Sequence, residues 1–68
     1  MRIVYDSEVD ILDIYLSSAT RATSREIAPG VVADLDKEGN IIALEILDAS
    51  DRYSPEDLTR FSFERTPA

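Results

Sequence analysis

The chain has 68 residues and a formal net charge of −7, from 14 acidic and 7 basic side chains, and it contains neither cysteine nor histidine. These facts exclude disulfide bonds and zinc sites built from thiolate or imidazole ligands. A chain of this length forms one domain, which buries only about 60% of its unfolded surface. Because small secreted domains usually need disulfides or metals, we expect a cytoplasmic protein whose core is enlarged by formation of a homodimer.

The distribution of the apolar and basic residues disfavours two classes of binding partner, membranes and nucleic acids. The N-terminal residues contain no long apolar segment and no apolar run approaches membrane-spanning length, so no membrane association is expected. The arginines are scattered among acidic residues instead of forming a stripe, which disfavours direct binding of nucleic acid. The excess of acidic residues is typical of a soluble, self-repelling surface. A more specific interpretation is that this surface binds a small basic protein.

Two short strands are predicted at the N-terminus. Residues Arg2–Asp6 are interpreted as a strand with Ile3 and Tyr5 on one face and Arg2, Val4 and Asp6 on the other. After a turn at residues 7–9, a second strand with clean alternation follows over residues 10–17. Leu12, Ile14 and Leu16 share one face of a strand but not one face of a helix, and the β-branched and aromatic content also favours a strand. Two strands this close in sequence should form a hairpin.

A polar loop and an edge strand are expected next. Residues 17–24 contain no large apolar side chain and are interpreted as a loop. Thr23–Ala28 is predicted to be a short edge strand that ends at Pro29-Gly30, because proline cannot donate a hydrogen bond to a neighbouring strand.

The stretch from residue 31 to residue 47 is the strongest hairpin in the sequence. Two apolar runs flank Asp36-Lys37-Glu38-Gly39-Asn40. For the two aliphatic rows to share a face, the loop must contain an even number of residues. We therefore predict a loop of four residues, 37–40, built on a type I turn with Gly39 in the left-handed conformation. Asp36 is expected to accept hydrogen bonds from the turn backbone.

The same stretch partly matches an EF-hand calcium loop, with Asp34, Asp36 and Glu45 at its first, third and twelfth positions. However, an EF-hand requires an entering helix, whereas Pro29-Gly30 and two valines precede this loop. The fifth position holds Glu38, which is longer than the usual ligand. The hairpin is therefore the preferred interpretation.

The C-terminal third predicts a short helix. Residues 48–53 are polar and turn-like, and Ser54-Pro55 is a typical helix start with Ser54 as N-cap. Leu58 and Phe61 are spaced to dock one helix face on the sheet. Phe63 either docks as well or extends the chain as an edge strand. Residues 64–68 are expected to fray, so the domain is predicted to span residues 1–63.

Together these elements predict an α+β fold, a small antiparallel sheet of four to five strands built from hairpins with one short C-terminal helix. The sheet would have an aliphatic face and a mixed face. The aliphatic face carries Leu12, Ile14, Leu16, Val31, Ala33, Leu35, Ile42, Leu44 and Ile46. The mixed face carries Ile11, Tyr15, Val32, Ile41, Ala43 and Leu47 together with Asp13, Asp34 and Glu45.

The mixed face is more apolar than a solvated sheet face should be, and one short helix can cover only one side. We therefore expect a second chain on it, with a small sheet that folds over itself as the alternative. The interface candidates are Ile11, Tyr15, Val32, Ile41, Leu47 and Phe63.

The acidic residues near this face permit a different hypothesis. Asp13, Asp34 and Glu45, with Asp6 nearby, are candidate ligands for a metal ion or a small molecule if they converge in a cleft. Acidic residues interleaved on strands are more often a solvated face. No pair of nucleophile and base can be named, so no catalytic residue, dedicated metal site or cofactor is predicted, and enzymatic activity is disfavoured without being excluded.

Several ordinary motifs occur here in a distinctive order. They are Tyr5-Asp6-x-Glu8-x-Asp10-x-Leu12-x-Ile14, Pro29-Gly30-Val31-Val32, Asp36-x-x-Gly39-Asn40, and Ile42-x-x-Glu45-Ile46-Leu47-Asp48-Ala49-Ser50. Over residues 3–50 the chain resembles domain-of-unknown-function family 2283, a group of short, mainly prokaryotic proteins. Asp13 stands before Ile14-Tyr15, where the resemblance implies a Tyr-Ile pair, a departure that bears on how this strand is paired.

The resemblance implies a small sheet protein without an established activity, and it supplies no catalytic residues. Some relatives are encoded beside small toxin-like proteins, which implies an antitoxin-like or partner-binding role.

Overall fold

Five antiparallel strands form a single sheet in the computed structural model, which describes residues 1–67. Two short helices follow the strands, so the α+β class is confirmed and one helical turn is added to the single helix that was expected. The elements are β1 (Arg2–Asp6), β2 (Ile11–Tyr15), β3 (Thr23–Ala28), β4 (Val31–Leu35), β5 (Ile41–Leu47), α1 (Ala49–Arg52) and α2 (Pro55–Thr59).

The strands lie in the order β1-β2-β5-β4-β3, which makes β5 the central strand and leaves β1 and β3 at the two edges. The predicted hairpins β1–β2 and β4–β5 are both present, and β3 pairs with β4. The loop from β2 to β3 passes the ends of β5 and β4. It is tied there by backbone hydrogen bonds from Leu16 to the carbonyl of Ile42 (2.9 Å) and from Ala22 to that of Leu35 (2.8 Å).

The turn between β4 and β5 is one residue shorter than predicted. The Gly39 amide donates to the carbonyl of Asp36 at 3.1 Å, and the Asp36 amide donates to the carbonyl of Asn40 at 3.0 Å, so three residues form the loop. A bulge at the start of β5 supplies the residue that restores the expected pairing of the aliphatic rows. Gly39 has the predicted left-handed backbone, with φ of 86°. The left-handed conformation of Gly39 was predicted correctly, and the loop length was wrong.

Asp36 fixes this turn as expected. Its carboxylate accepts hydrogen bonds from the amides of Glu38 (3.0 Å) and Asn40 (2.9 Å). These bonds, those from Asn40 foremost, lower the pKa of Asp36. An Asx turn of this kind places the side chain on the loop backbone, and the hairpin interpretation is confirmed.

The two-face prediction is also confirmed. The register aligns Leu12 with Ile46 and Ile46 with Val31 on one side of the sheet, and Ile14, Leu44 and Ala33 form the next row of the same face. Ile3 and Tyr5 of β1 continue this face, because they pair with Ile14 and Leu12. The bulge interrupts the alternation at Ile41, which pairs with Leu35 of the aliphatic row and does not continue the mixed row.

The core is thin. Its buried apolar residues are Ala33, Leu35, Ile42, Ala43 and Ala49, and within residues 1–67 no large side chain is fully buried. The other aliphatic side chains of β2, β4 and β5 are half-buried, with the exception of the exposed Ile41. A single sheet layer has no second layer against which to bury its side chains, which explains this distribution.

Helix α2 covers only part of the aliphatic face. The hydroxyl of Ser54 accepts a hydrogen bond from the Asp57 amide at 3.2 Å, which confirms the predicted N-cap, and Pro55 begins the helix. Leu58 and Phe61 both line a groove against Ile3, Tyr5, Leu12 and Ile14 of the aliphatic face. Leu58 is half-buried there, whereas Phe61 is 63% exposed. Phe63 neither docks nor joins the sheet and is 69% exposed.

The remaining C-terminal residues bear on two further points. Residues 60–67 form neither helix nor strand, and Ala68 lies outside the described residues, so fraying there stays a prediction. Across residues 1–67, the helices are all too short to cross a membrane.

Candidate interaction site on the mixed face

The molecule is flatter than a compact domain of its length. Its radius of gyration is 13.1 Å and its dimensions are 35 × 34 × 19 Å, against about 11 Å expected for the radius of gyration of a compact chain. Its accessible surface is 5370 Å², whereas a compact monomer of this mass exposes about 4,300 Å². The sheet therefore leaves a large area of both faces available to another molecule.

Three of the four predicted acidic residues lie together on the mixed face. Asp13 of β2 stands directly opposite Glu45 of β5. Asp34 of β4 is paired with Ala43, one diagonal step from Glu45. Asp6 lies apart, at the end of β1, where its carboxylate accepts a hydrogen bond from the Glu8 amide at 3.0 Å.

A short polar network borders these acids. The guanidinium of Arg21 donates to the hydroxyl of Ser24 at 3.2 Å, and that hydroxyl donates to the carboxylate of Asp34 at 2.7 Å. Burial raises the pKa of Glu45, the negative charges of Asp34 and Asp13 raise it further, and Arg21 opposes them. The mixed face thus holds a carboxyl that is destabilised in its charged form by its own neighbours.

These acids do not form a metal-binding group. Within residues 1–67, no three acidic side chains are placed so that they could hold one metal ion together. Asp13 and Glu45 repel each other across the β2–β5 pair. The carboxylate of Asp34 already accepts a hydrogen bond from the Ser24 hydroxyl. A ligand role for Asp6, Asp13, Asp34 and Glu45 stays a prediction without support from their arrangement.

We expect Glu45→Gln to stabilise the fold at pH 7, because it removes a charge from between two other carboxylates. A carboxyl with a raised pKa destabilises the folded state above that pKa and ceases to do so when it is protonated. The gain should therefore shrink as the pH falls towards 4.5, the ordinary pKa of a glutamate. Thermal unfolding of both proteins between pH 4 and pH 7 would measure it.

Glu26→Gln is the matched control, since it removes the same charge from the exposed edge strand β3. If both variants change the unfolding temperature equally at pH 7, the effect reflects net charge and the neighbours of Glu45 do not cause it.

Around the acids the mixed face is apolar. Ile11, Val32 and Leu47 are half-buried, and Tyr15 is 36% exposed with the guanidinium of Arg2 stacked 4.7 Å from its ring centre. These four interface candidates share one surface. Ile41, at the bulge, and Phe63, beyond α2, lie away from it.

One polar junction was not singled out as a functional or structural site from the sequence. The carboxylate of Asp10 accepts hydrogen bonds from the Tyr5 hydroxyl at 2.6 Å, the Ser50 hydroxyl at 2.6 Å and the Ser50 amide at 3.0 Å. The carbonyl of Asp10 also accepts from the Ala49 amide at 3.1 Å. We call these four residues the Asp10 junction; it ties the first hairpin to the start of α1. The spacing of Tyr5 and Asp10 in one motif, with Ser50 closing another, was the available signal.

The fold and the surface define a class: a single-layer α+β domain with a five-stranded antiparallel sheet, open on both faces. The chain belongs to the family described as protein of unknown function DUF2283, whose model matches residues 2–50. The match covers the whole sheet and ends at the Asp10 junction, and it confirms the resemblance found in the motifs. No curated protein and no solved structure matches the chain.

Proposed function

We propose that this protein is a protein-interaction module that acts as a homodimer. The observation that supports the proposal is the thin core: no large side chain among residues 1–67 is fully buried, although the sheet carries aliphatic residues on both faces. A domain of this size is marginally stable alone, and a second chain is the simplest source of additional buried area.

The exposed area is of the size that a dimer requires. The surface of 5370 Å² exceeds that of a compact monomer of the same mass by about 1,100 Å². A stable interface buries about 800 Å² on each partner. The excess is therefore at least as large as one interface of that size.

The charge favours a basic protein as the further partner of such a dimer. The net charge of −7 would be complemented by a cationic surface, and Asp13 and Glu45 present two carboxylates side by side on the mixed face. Opposite charge across an interface accelerates association and selects among partners. An antitoxin-like role, with a small basic protein as its target, is the specific form of this proposal.

The homodimer is tested by light scattering of the purified protein at micromolar concentration. We expect twice the mass of one chain, and an unfolding temperature that rises with protein concentration, as mass action requires of a dimer. A monomeric mass together with a concentration-independent unfolding temperature would overturn the proposal.

A further inference from the structure

The two edges of the sheet differ in how they are protected from pairing with another chain. Edge strand β3 contains a bulge between Glu26 and Ala28, and Pro29 follows it directly. Bulges, charges and prolines are the usual means by which an edge strand avoids pairing with another chain. β3 is thus an edge that resists addition of a strand.

Edge strand β1 has neither a bulge nor a proline, and its charged residues, Arg2 and Asp6, stand at its two ends. Its five residues pair with β2 in an unbroken register. The segment after α2 does not pair with it either, because no backbone hydrogen bond joins residues 60–67 to β1 in the described chain. The outer backbone groups of β1 are therefore free to form a ladder.

The sequence of β1 is complementary to itself. We propose that two copies of this protein join through their β1 strands, antiparallel and related by a two-fold axis at Val4. In this register Arg2 of each copy stands opposite Asp6 of the other, and Ile3 stands opposite Tyr5. A shift of two residues removes either Arg2 or Asp6 from the pairing, so the charges select a single register.

The side chains lie on the sides that this pairing requires. The pairing of Arg2 with Tyr15 places Arg2, and with it Asp6, on the mixed face. The ring of Tyr15 holds the guanidinium of Arg2 at 4.7 Å, at the edge where Asp6 of the second copy would arrive. Both cross-strand charge pairs therefore form on the mixed face, and both Ile3–Tyr5 pairs form on the aliphatic face.

An apolar groove at the same edge extends the contact. It has a volume of about 290 Å³ and is lined by Met1, Arg2, Ile3, Phe61 and Phe63. Met1, Phe61 and Phe63 are each more than 60% exposed. Since Tyr5 of the second copy stands opposite Ile3, its side chain arrives beside this groove. The pairing thus gives a role to the two exposed phenylalanines beyond α2.

This inference rests on the proposed homodimer, and it places the contact at the β1 edge and the adjoining groove, which leaves the mixed face of each copy open to the basic partner. The test is a pair of charge variants, Arg2→Glu and Asp6→Arg. Each variant alone places like charges at both contacts, so we expect its dimer dissociation constant to rise roughly tenfold to a hundredfold. Mixed together, the two variants present opposite charges at both contacts, and we expect a heterodimer to form. Native mass spectrometry distinguishes the heterodimer from either homodimer.

Arg25→Glu, the same substitution on the other edge strand, is the matched control and should leave the dimer unchanged. If the wild type is a dimer but the variants neither weaken it nor complement each other, the β1 pairing is wrong and the homodimer stands. If the wild type is a monomer, the proposed function itself fails.

Discussion

Asp10→Ala is expected to lower the unfolding temperature by roughly 5–10 °C, the range that corresponds to losing several hydrogen bonds in a domain this small. Asp10 occupies the left-handed region with φ of 57°, which few residues other than glycine, asparagine and aspartate tolerate. Its carboxylate accepts three hydrogen bonds, from Tyr5 and Ser50. Alanine would retain the strained backbone and lose all three bonds.

Asp48→Ala is the matched control for this variant. Asp48 also has a left-handed backbone, with φ of 52°, but its side chain makes no capping hydrogen bond. The difference between the two alanine variants therefore isolates the contribution of the carboxylate. Equal losses would show that the conformation of the backbone, and not the Asp10 junction, limits stability.

The hydrogen bonds of the Asp10 junction also make the stability of the fold depend on pH in the acidic range. The hydrogen bond from Ser50 and then that from Tyr5 lower the pKa of Asp10 below its ordinary value of 3.8. A carboxyl with a lowered pKa contributes stability above its unfolded pKa and loses it as the pH falls through its folded pKa. The wild type should thus begin to lose its advantage over Asp10→Asn as the pH falls below about 4, and lose it fully only below the folded pKa of Asp10, where both side chains are neutral.

Tyr5 makes the stability of the fold depend on pH in the alkaline range. The hydrogen bond to Asp10, followed by burial, raises the pKa of Tyr5 above its ordinary value of 10.0. Stability from this group is present below the unfolded pKa and is lost as the pH rises through the folded pKa. Tyr5→Phe should remove this alkaline dependence, which thermal unfolding above pH 9 would detect.

Local sequence patterns predicted most of the sheet because a strand alternates its side chains with a period of two. The bounds of β1 and the division of the sheet into two faces followed from that period, whereas the end of β3 followed from the turn signal at Pro29-Gly30. The turn at Gly39 followed from the turn chemistry of Asp36 and glycine. The loop length was wrong because parity permits two solutions, an even loop or an odd loop compensated by a bulge, and the structure uses the second.

The candidate site was predicted less completely. Asp13 lies opposite Glu45 because of the register between β2 and β5. The residue pattern of a single strand does not determine that register. The Asp10 junction joins residues 40 positions apart, and the contact between Arg52 and Pro29 spans 23 positions. Such contacts depend on how the elements meet, so periodicity and propensity do not encode them.

The second large effect is expected at Gly30, where the chain turns from β3 into β4. Gly30→Ala should destabilise the fold by about 2–3 kcal/mol, from the left-handed backbone and from displacement of a neighbouring side chain. Gly30 has φ of 72°, and a Cβ there would overlap Nη2 of Arg52. That guanidinium donates hydrogen bonds to the carbonyls of Pro29 and Leu47, so making room for the Cβ costs one or both of these bonds.

Two comparisons separate the causes, with chemical unfolding measured at one fixed protein concentration because a dimer is expected. Gly39→Ala shares the left-handed backbone, with φ of 86°, but its Cβ would meet no atom within 4 Å. It should therefore cost only about 1 kcal/mol. In the background of Arg52→Ala, Gly30→Ala should fall to the same cost, because the obstructing side chain is absent. A penalty at Gly30 that is unchanged by Arg52→Ala would show that the backbone alone requires glycine, and that α1 is not held to the β3–β4 turn by this contact.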